Sequence, residues 1–314
     1  MVTGSRLQKA FKAQSIGARD EISLFRAFIR SFGNLGSDAL AAEYHGTRHQ
    51  VEFDEQRGAG RSRPRCELCD VLIVQYEAGN PAGARLTLNQ AKVSGKQLGC
   101  GYTVRTGTRT TFRANLEQWD LLANRPDVSP ATRRFCPPRP LLSGALLPSV
   151  GSFGVFYPTG SGSFEFAYFV AELLGPLRNN SGRTGTLMWR HVFLSCRAIS
   201  GYQEVNGTCC LPMFGDALEK GLIGTPVRDL VRRSKDTKYV RTWLASLLLR
   251  LRREHPDSDI PGELLQGLEL EGEGEESPAE DALAAPPPVK AAIVVRTRGR
   301  GGHNGASNAI GPTR

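Results

Sequence analysis

Two short apolar runs constrain this chain most: CELCDVLIV (residues 66–74) and ARLTLNQAKV (84–93), joined through AGNPAG. Both are too short for core helices and rich in β-formers, and a Gly/Pro/Asn connection between such runs is a hairpin signal. In the second run Leu86, Leu88, Gln90 and Lys92 share one face because strand side chains alternate. In the first run Asp70 shares a face with Leu72 and Val74 while Val71 and Ile73 fill the other, so the strand is expected to be buried on both sides. A carboxylate in that setting needs a partner, since burying an unpaired charge is very costly.

Lys92 is one partner in reach, and a divalent cation is a stronger one. A hard cation such as Mg²⁺, with Mn²⁺ as a substitute, takes oxygen ligands. The set on offer is the Asp70 carboxylate, the Gln90 amide oxygen and the Ala91 carbonyl. Lys92 would then hold an attacking water and stabilise charge on a phosphate, an arrangement suited to metal-assisted phosphodiester hydrolysis.

The flanking pattern supplies the expected architecture. EISLFRAFIRSFG (21–33) is an amphipathic helix with Arg26 and Arg30 on its outer side. SDALAAEYHG reads as a second helix, capped by Ser37 or Asp38, ending at Gly46 and carrying Glu43. RHQVEFDEQ alternates as a half-buried strand, TFRANLEQWDLLANRP reads as a helix ending before Pro126, and SFGVFYP (152–158) as a further strand. FEFAYFVAELLG and TLMWRHVFLSCRAIS are open between strand and helix. The region Asp216–Glu254 is expected to be helical, with a Leu stripe and an Arg-rich outer face.

At Asp70 and Gln90-Ala91-Lys92 the chain resembles the PD-(D/E)xK nuclease superfamily, in its Mrr-like Gln-x-Lys form. The resemblance covers about a third of the chain. It implies an α/β fold with a restriction-endonuclease-like core in the order helix, three strands, helix, strand, within residues 37–200. It also implies that the family's first-helix acid is matched by Glu43. Cys69 stands where the family usually has Pro, and Gln90 stands in place of a carboxylate. Around that core the expected parts are a basic helical segment (1–36), a C-terminal helical region (201–260) and a disordered acidic, then basic, Gly/Pro-rich tail (261–314), in which AAIVV (291–295) is the one strand-competent or peptide-like run.

Composition narrows the partners. A net charge of +9 over 314 residues favours a polyanion, with double-stranded DNA the expected one. No apolar run suits a membrane span, and MVTGSRLQKAFKAQ lacks the apolar centre of a secretory signal, so a cytoplasmic protein is expected. Seven cysteines without framework spacing point to reduced thiols. Zinc at Cys66, Cys69 and Cys100 is the weaker metal alternative, and His45 and His49 are expected at the surface near the site. The expected activity is a metal-dependent endonuclease of the restriction or defence kind. The alternatives are an inactive nuclease-like module that binds nucleic acid, or a component docking a second copy or partner proteins through the C-terminal helix and tail.

Overall fold

The computed structural model describes residues 3–44, 49–98, 110–132, 135–191, 193–232, 237–273 and 289–298. His45, Cys100 and the last sixteen residues of the tail lie outside them. In chain order the elements are α1 (Thr3–Gln14), α2 (Glu21–Gly33), β1 (Ala39–Glu43), β2 (Gln50–Glu52), β3 (Arg65–Glu67), β4 (Val71–Glu77), β5 (Asn80–Val93), β6 (Thr110–Asn115), α3 (Leu116–Asn124), β7 (Ser129–Pro130) and β8 (Gly151–Pro158). They continue with β9 (Phe164–Val170), β10 (Leu174–Pro176), β11 (Thr184–Trp189), β12 (Cys196–Ile199), β13 (Tyr202–Val205), β14 (Gly207–Thr208), α4 (Leu211–Glu219), β15 (Thr225–Pro226), α5 (Val227–Leu230), α6 (Lys238–Glu254), α7 (Ile260–Gly267) and β16 (Ala291–Thr297).

The main sheet runs β1-β16-β4-β5-β8-β9-β14, with β15 added to β5. The hairpin expected from the two apolar runs is β4 and β5, closed by Ala78 and Gly79. Gly79 has φ of +80°, a left-handed geometry that glycine adopts without steric cost. Helix α3 then connects β5 to the parallel strand β8. Alternation along the strands splits the core in two. Leu72, Val74, Leu86 and Leu88 face α3, α6 and α7. Val71, Ile73, Phe156 and Phe166 face α1, α2 and α4. The result is an α/β/α sandwich, and no helix among the described residues is long and apolar enough to cross a membrane.

Several expectations are corrected. The expected helix over 37–46 is instead a short 3₁₀ turn, Gly36–Asp38, and the strand β1. Its residues ALAAE are good helix formers, but pairing with β16 outweighs that weak local preference. Helix α3 begins at Leu116, so Phe112 belongs to β6. The two ambiguous runs are mainly strand: β9 and β10 for the first, β11 and β12 for the second. The Asp216–Glu254 region is not one helical stretch, since β15 and α5 interrupt it. Cys209 is disulfide-bonded, whereas Cys66, Cys69, Cys196 and Cys210 are reduced.

Residues 261–314 are expected to be mostly disordered with AAIVV alone strand-competent, and among the described residues the segment is more ordered than that. Helix α7 lies across their start, and AAIVV forms most of β16, inserted between β1 and β4 and nearly all buried. Strand β16 pairs antiparallel with β1 and parallel with β4, Ile293 lying opposite both Ala41 and Ile73. Ile293→Ala is expected to lower the unfolding free energy by about 3 kcal/mol in urea titration. A loss below about 0.5 kcal/mol would mean that this strand is dispensable to the core.

Candidate active site at one end of the main sheet

The two-residue turn and the register after it place Asp70 directly across from Gln90, since Leu72 opposes Leu88 and Val71 opposes Asn89. Asp70 immediately precedes β4, and its N–H donates to the Asn89 carbonyl at 3.0 Å, extending the ladder to the site. The carboxylate is almost fully enclosed. Its Oδ2 accepts from the Gln90 amide and, at 2.9 Å, from the Ala91 N–H. The N–H and C=O of one strand residue leave the same edge, so the Ala91 carbonyl is turned toward this side as well.

Asp70 Oδ1 is held by a residue the sequence reading missed. Lys290, just before β16, places its ammonium 3.1 Å from Asp70 Oδ1 and 3.4 Å from Glu67 Oε2. Burial by itself pushes this ammonium down, but Asp70 and Glu67 more than offset that and hold its pKa above the ordinary lysine value of 10.5. Gln90 Oε1 is buried and has no hydrogen-bond partner.

Lys92 does not turn to Asp70. Its ammonium lies 3.1 Å from Glu21 Oε1, in the first turn of α2. Asp20 caps that helix, its carboxylate accepting from the Ser23 N–H at 2.9 Å while Ser23 Oγ returns to the cap; this holds the start of α2 at the same sheet end. Glu43, the last residue of β1, lies across from Ala291 and pairs with Arg26 of α2 at 3.2 Å. The acid that meets Lys92 is therefore Glu21 of α2, and Glu43 is a residue of β1, separated from β4 by β16.

The other candidates fall away from this cluster. Cys66 and Cys69 are buried, and burial pushes both thiols up. Among the described residues no three His, Cys, Asp or Glu side chains gather as a metal cage. His49 is buried against Phe135, their rings 5.0 Å apart, rather than at the surface. The basic loop before β3 is largely paired, Arg61 and Arg183 both meeting the buried Glu117 and Arg63 meeting Glu52. Arg296 and Arg298 of the tail pair with Asp259, Glu263 and Asp38.

Whether this site suits a divalent ion is a matter of donor chemistry. Asp70 and Glu67 already draw one cation between them, and Gln90, whose amide N–H meets Asp70, has a buried amide oxygen without a partner. Mg²⁺ needs only one or two carboxylates when water and substrate phosphate complete its shell. The Asp70 carboxylate, the Gln90 amide oxygen and the Ala91 carbonyl supply hard oxygens that fit such an ion, once Asp70 gives up its present contacts with the Lys290 ammonium and the Gln90 amide N–H. Comparison of the chain with protein-family models, with curated proteins and with solved structures found no match.

Asp70→Ala would leave the Gln90 amide, the Ala91 N–H and the Lys290 ammonium without their shared acceptor. A loss of about 3 kcal/mol in chemical denaturation is expected, much less of it once Lys290 is also replaced by Met. Additive losses in the double variant would contradict the coupling.

Proposed function

We propose that this protein is a metal-dependent endonuclease that hydrolyses phosphodiester bonds of nucleic acid, with double-stranded DNA as the expected substrate. The observation that carries the reading is the side-by-side placement of Asp70 and Gln90 on the β4–β5 hairpin, with Lys92 two residues on and held by the helix acid Glu21. These residue types suit metal-assisted hydrolysis of a phosphodiester, and they come from β5, the start of α2 and the residue before β4. The restriction-endonuclease-like assignment of the core belongs to the same proposal. Its support is that α2, β1, the hairpin β4–β5, α3 and the parallel strand β8 follow in this order in the chain, although β16 separates β1 from β4 and the expected strand RHQVEFDEQ supplies β2 of a separate sheet, β3-β2-β7.

In this reading the Asp70 carboxylate, the Gln90 amide oxygen and the Ala91 carbonyl would hold Mg²⁺ or Mn²⁺. Such an ion lowers the pKa of a bound water and offsets charge on the phosphate. Lys92 would orient the attacking water toward phosphorus and stabilise the charge that develops on the phosphate oxygens, while the proton of the water passes to solvent and the leaving oxygen takes one from solvent. Glu21 is a positioning residue, fixing the rotamer of Lys92 through their ion pair. Basic groups lie nearby for the backbone of the nucleic acid. Tyr44, one residue beyond Glu43, takes its hydroxyl to Glu254 at the end of α6, which brings the exposed Arg252 and Arg253 toward this end of the sheet.

A second reading, binding without cleavage, has its own observation: Lys290 already neutralises Asp70. Supercoiled plasmid incubated with wild type, Asp70→Asn or Lys92→Ala, in Mg²⁺, Mn²⁺ or EDTA, separates the two. The nuclease reading expects metal-dependent nicking that falls at least about 100-fold in Lys92→Ala and vanishes in Asp70→Asn, with circular dichroism unchanged. Glu21→Gln is expected to lower kcat about tenfold while leaving KM within about twofold. Salt-sensitive DNA binding without nicking by any variant would favour the binding module instead.

A further inference from the structure

Lys290 reaches the site from the far end of the chain, some 200 residues after the hairpin it serves, and its position is set by the sheet. Strand β16 runs parallel to β4 with Ala292 opposite Leu72, so Lys290 is level with Asp70, and the Tyr44 N–H donates to the Lys290 carbonyl at 2.8 Å, pinning that backbone. Its ammonium touches two carboxylates, Asp70 and Glu67, at 3.1 and 3.4 Å. Gln90 Oε1, on the amide whose N–H donates to Asp70, is buried and has no hydrogen-bond partner. A lysine is a compact charge on a flexible stem, and this one is 37% exposed whereas the Asp70 side chain is only 9% exposed. The cation can leave for solvent while the carboxylate cannot.

We infer that Lys290 is a tethered cation that competes with the divalent metal for Asp70, so that metal enters only when the ammonium swings away. The inference rests on the nuclease reading for the identity of the site and goes beyond it in assigning the last strand a regulatory residue. Two positive charges a few ångströms apart in a poorly solvated site repel strongly, so occupancy by one excludes the other. A divalent ion would also satisfy Gln90 Oε1, which the ammonium does not.

Mn²⁺ binding to the full chain, followed by isothermal titration calorimetry and by loss of the free Mn²⁺ paramagnetic resonance signal, tests this without relying on cleavage. Lys290→Met is expected to bind Mn²⁺ at least tenfold more tightly than wild type, and Lys290→Met combined with Asp70→Asn is expected to lose that gain. Lys290→Gln, which keeps a polar head, is expected to behave as Lys290→Met and serves if the latter does not fold. Equal affinity within twofold in wild type and both single variants, or a gain that survives Asp70→Asn, would overturn the inference. Tighter Mn²⁺ binding in a protein that cuts nothing would uphold the competition and remove the nuclease reading. Cleavage lost in Asp70→Asn with Mn²⁺ affinity unmoved by Lys290→Met would do the reverse.

Discussion

The pairing of β16 with β1 on one side and β4 on the other is what makes the main sheet continuous. Without it β1 has no neighbour in the sheet, helix α2 loses part of the surface it packs on, and the first segment of the chain is separated from the hairpin that carries Asp70 and Gln90. A strand inserted in mid-sheet from a distant segment must satisfy two ladders and two apolar faces at once. AAIVV does so because its small and β-branched side chains fit a strand buried on both sides. The late strand therefore bears on the stability of the sheet and brings Lys290 to the end where Asp70 stands.

Charge at that end is arranged as separate pairs rather than one cluster. Asp70 and Glu67 share Lys290, Lys92 holds Glu21, and Arg26 holds Glu43. Each buried or half-buried charge thus has a partner, as burial demands. The candidate site is compensated internally in this state, and binding of a metal or a phosphate must exchange partners rather than fill a vacant charge. That exchange is the physical basis for assigning Lys290 a competing role and Glu21 a positioning one.

Much of this was legible in the sequence where local patterns and tertiary structure agree. The period of EISLFRAFIRSFG pointed to α2, and the two apolar runs with a Gly-containing connection pointed to the β4–β5 hairpin, hence the adjacency of Asp70 and Gln90. The sequence reading failed where distant pairing decides. ALAAE carries helix propensity and becomes a strand only because β16 lies beside it, so Glu43 was placed on a helix that does not exist. Glu21 was passed over although it follows the Asp20 cap of the first apolar helix. Lys290 was hidden because a lysine before a five-residue apolar run in a Pro-rich, charged tail carries no sign of the carboxylate it meets. Its only signal was the strand-forming composition of the residues that follow.

The central claim is that Asp70 and its neighbours cut phosphodiester bonds, and the most direct measurement is sequencing of newly formed ends in long, mixed-sequence double-stranded DNA incubated with the protein and Mg²⁺. This detects cleavage even at rare sites. The account expects ends above background with wild type and none above background with Asp70→Asn. Equal numbers of ends with the two proteins, or none with either, would contradict it.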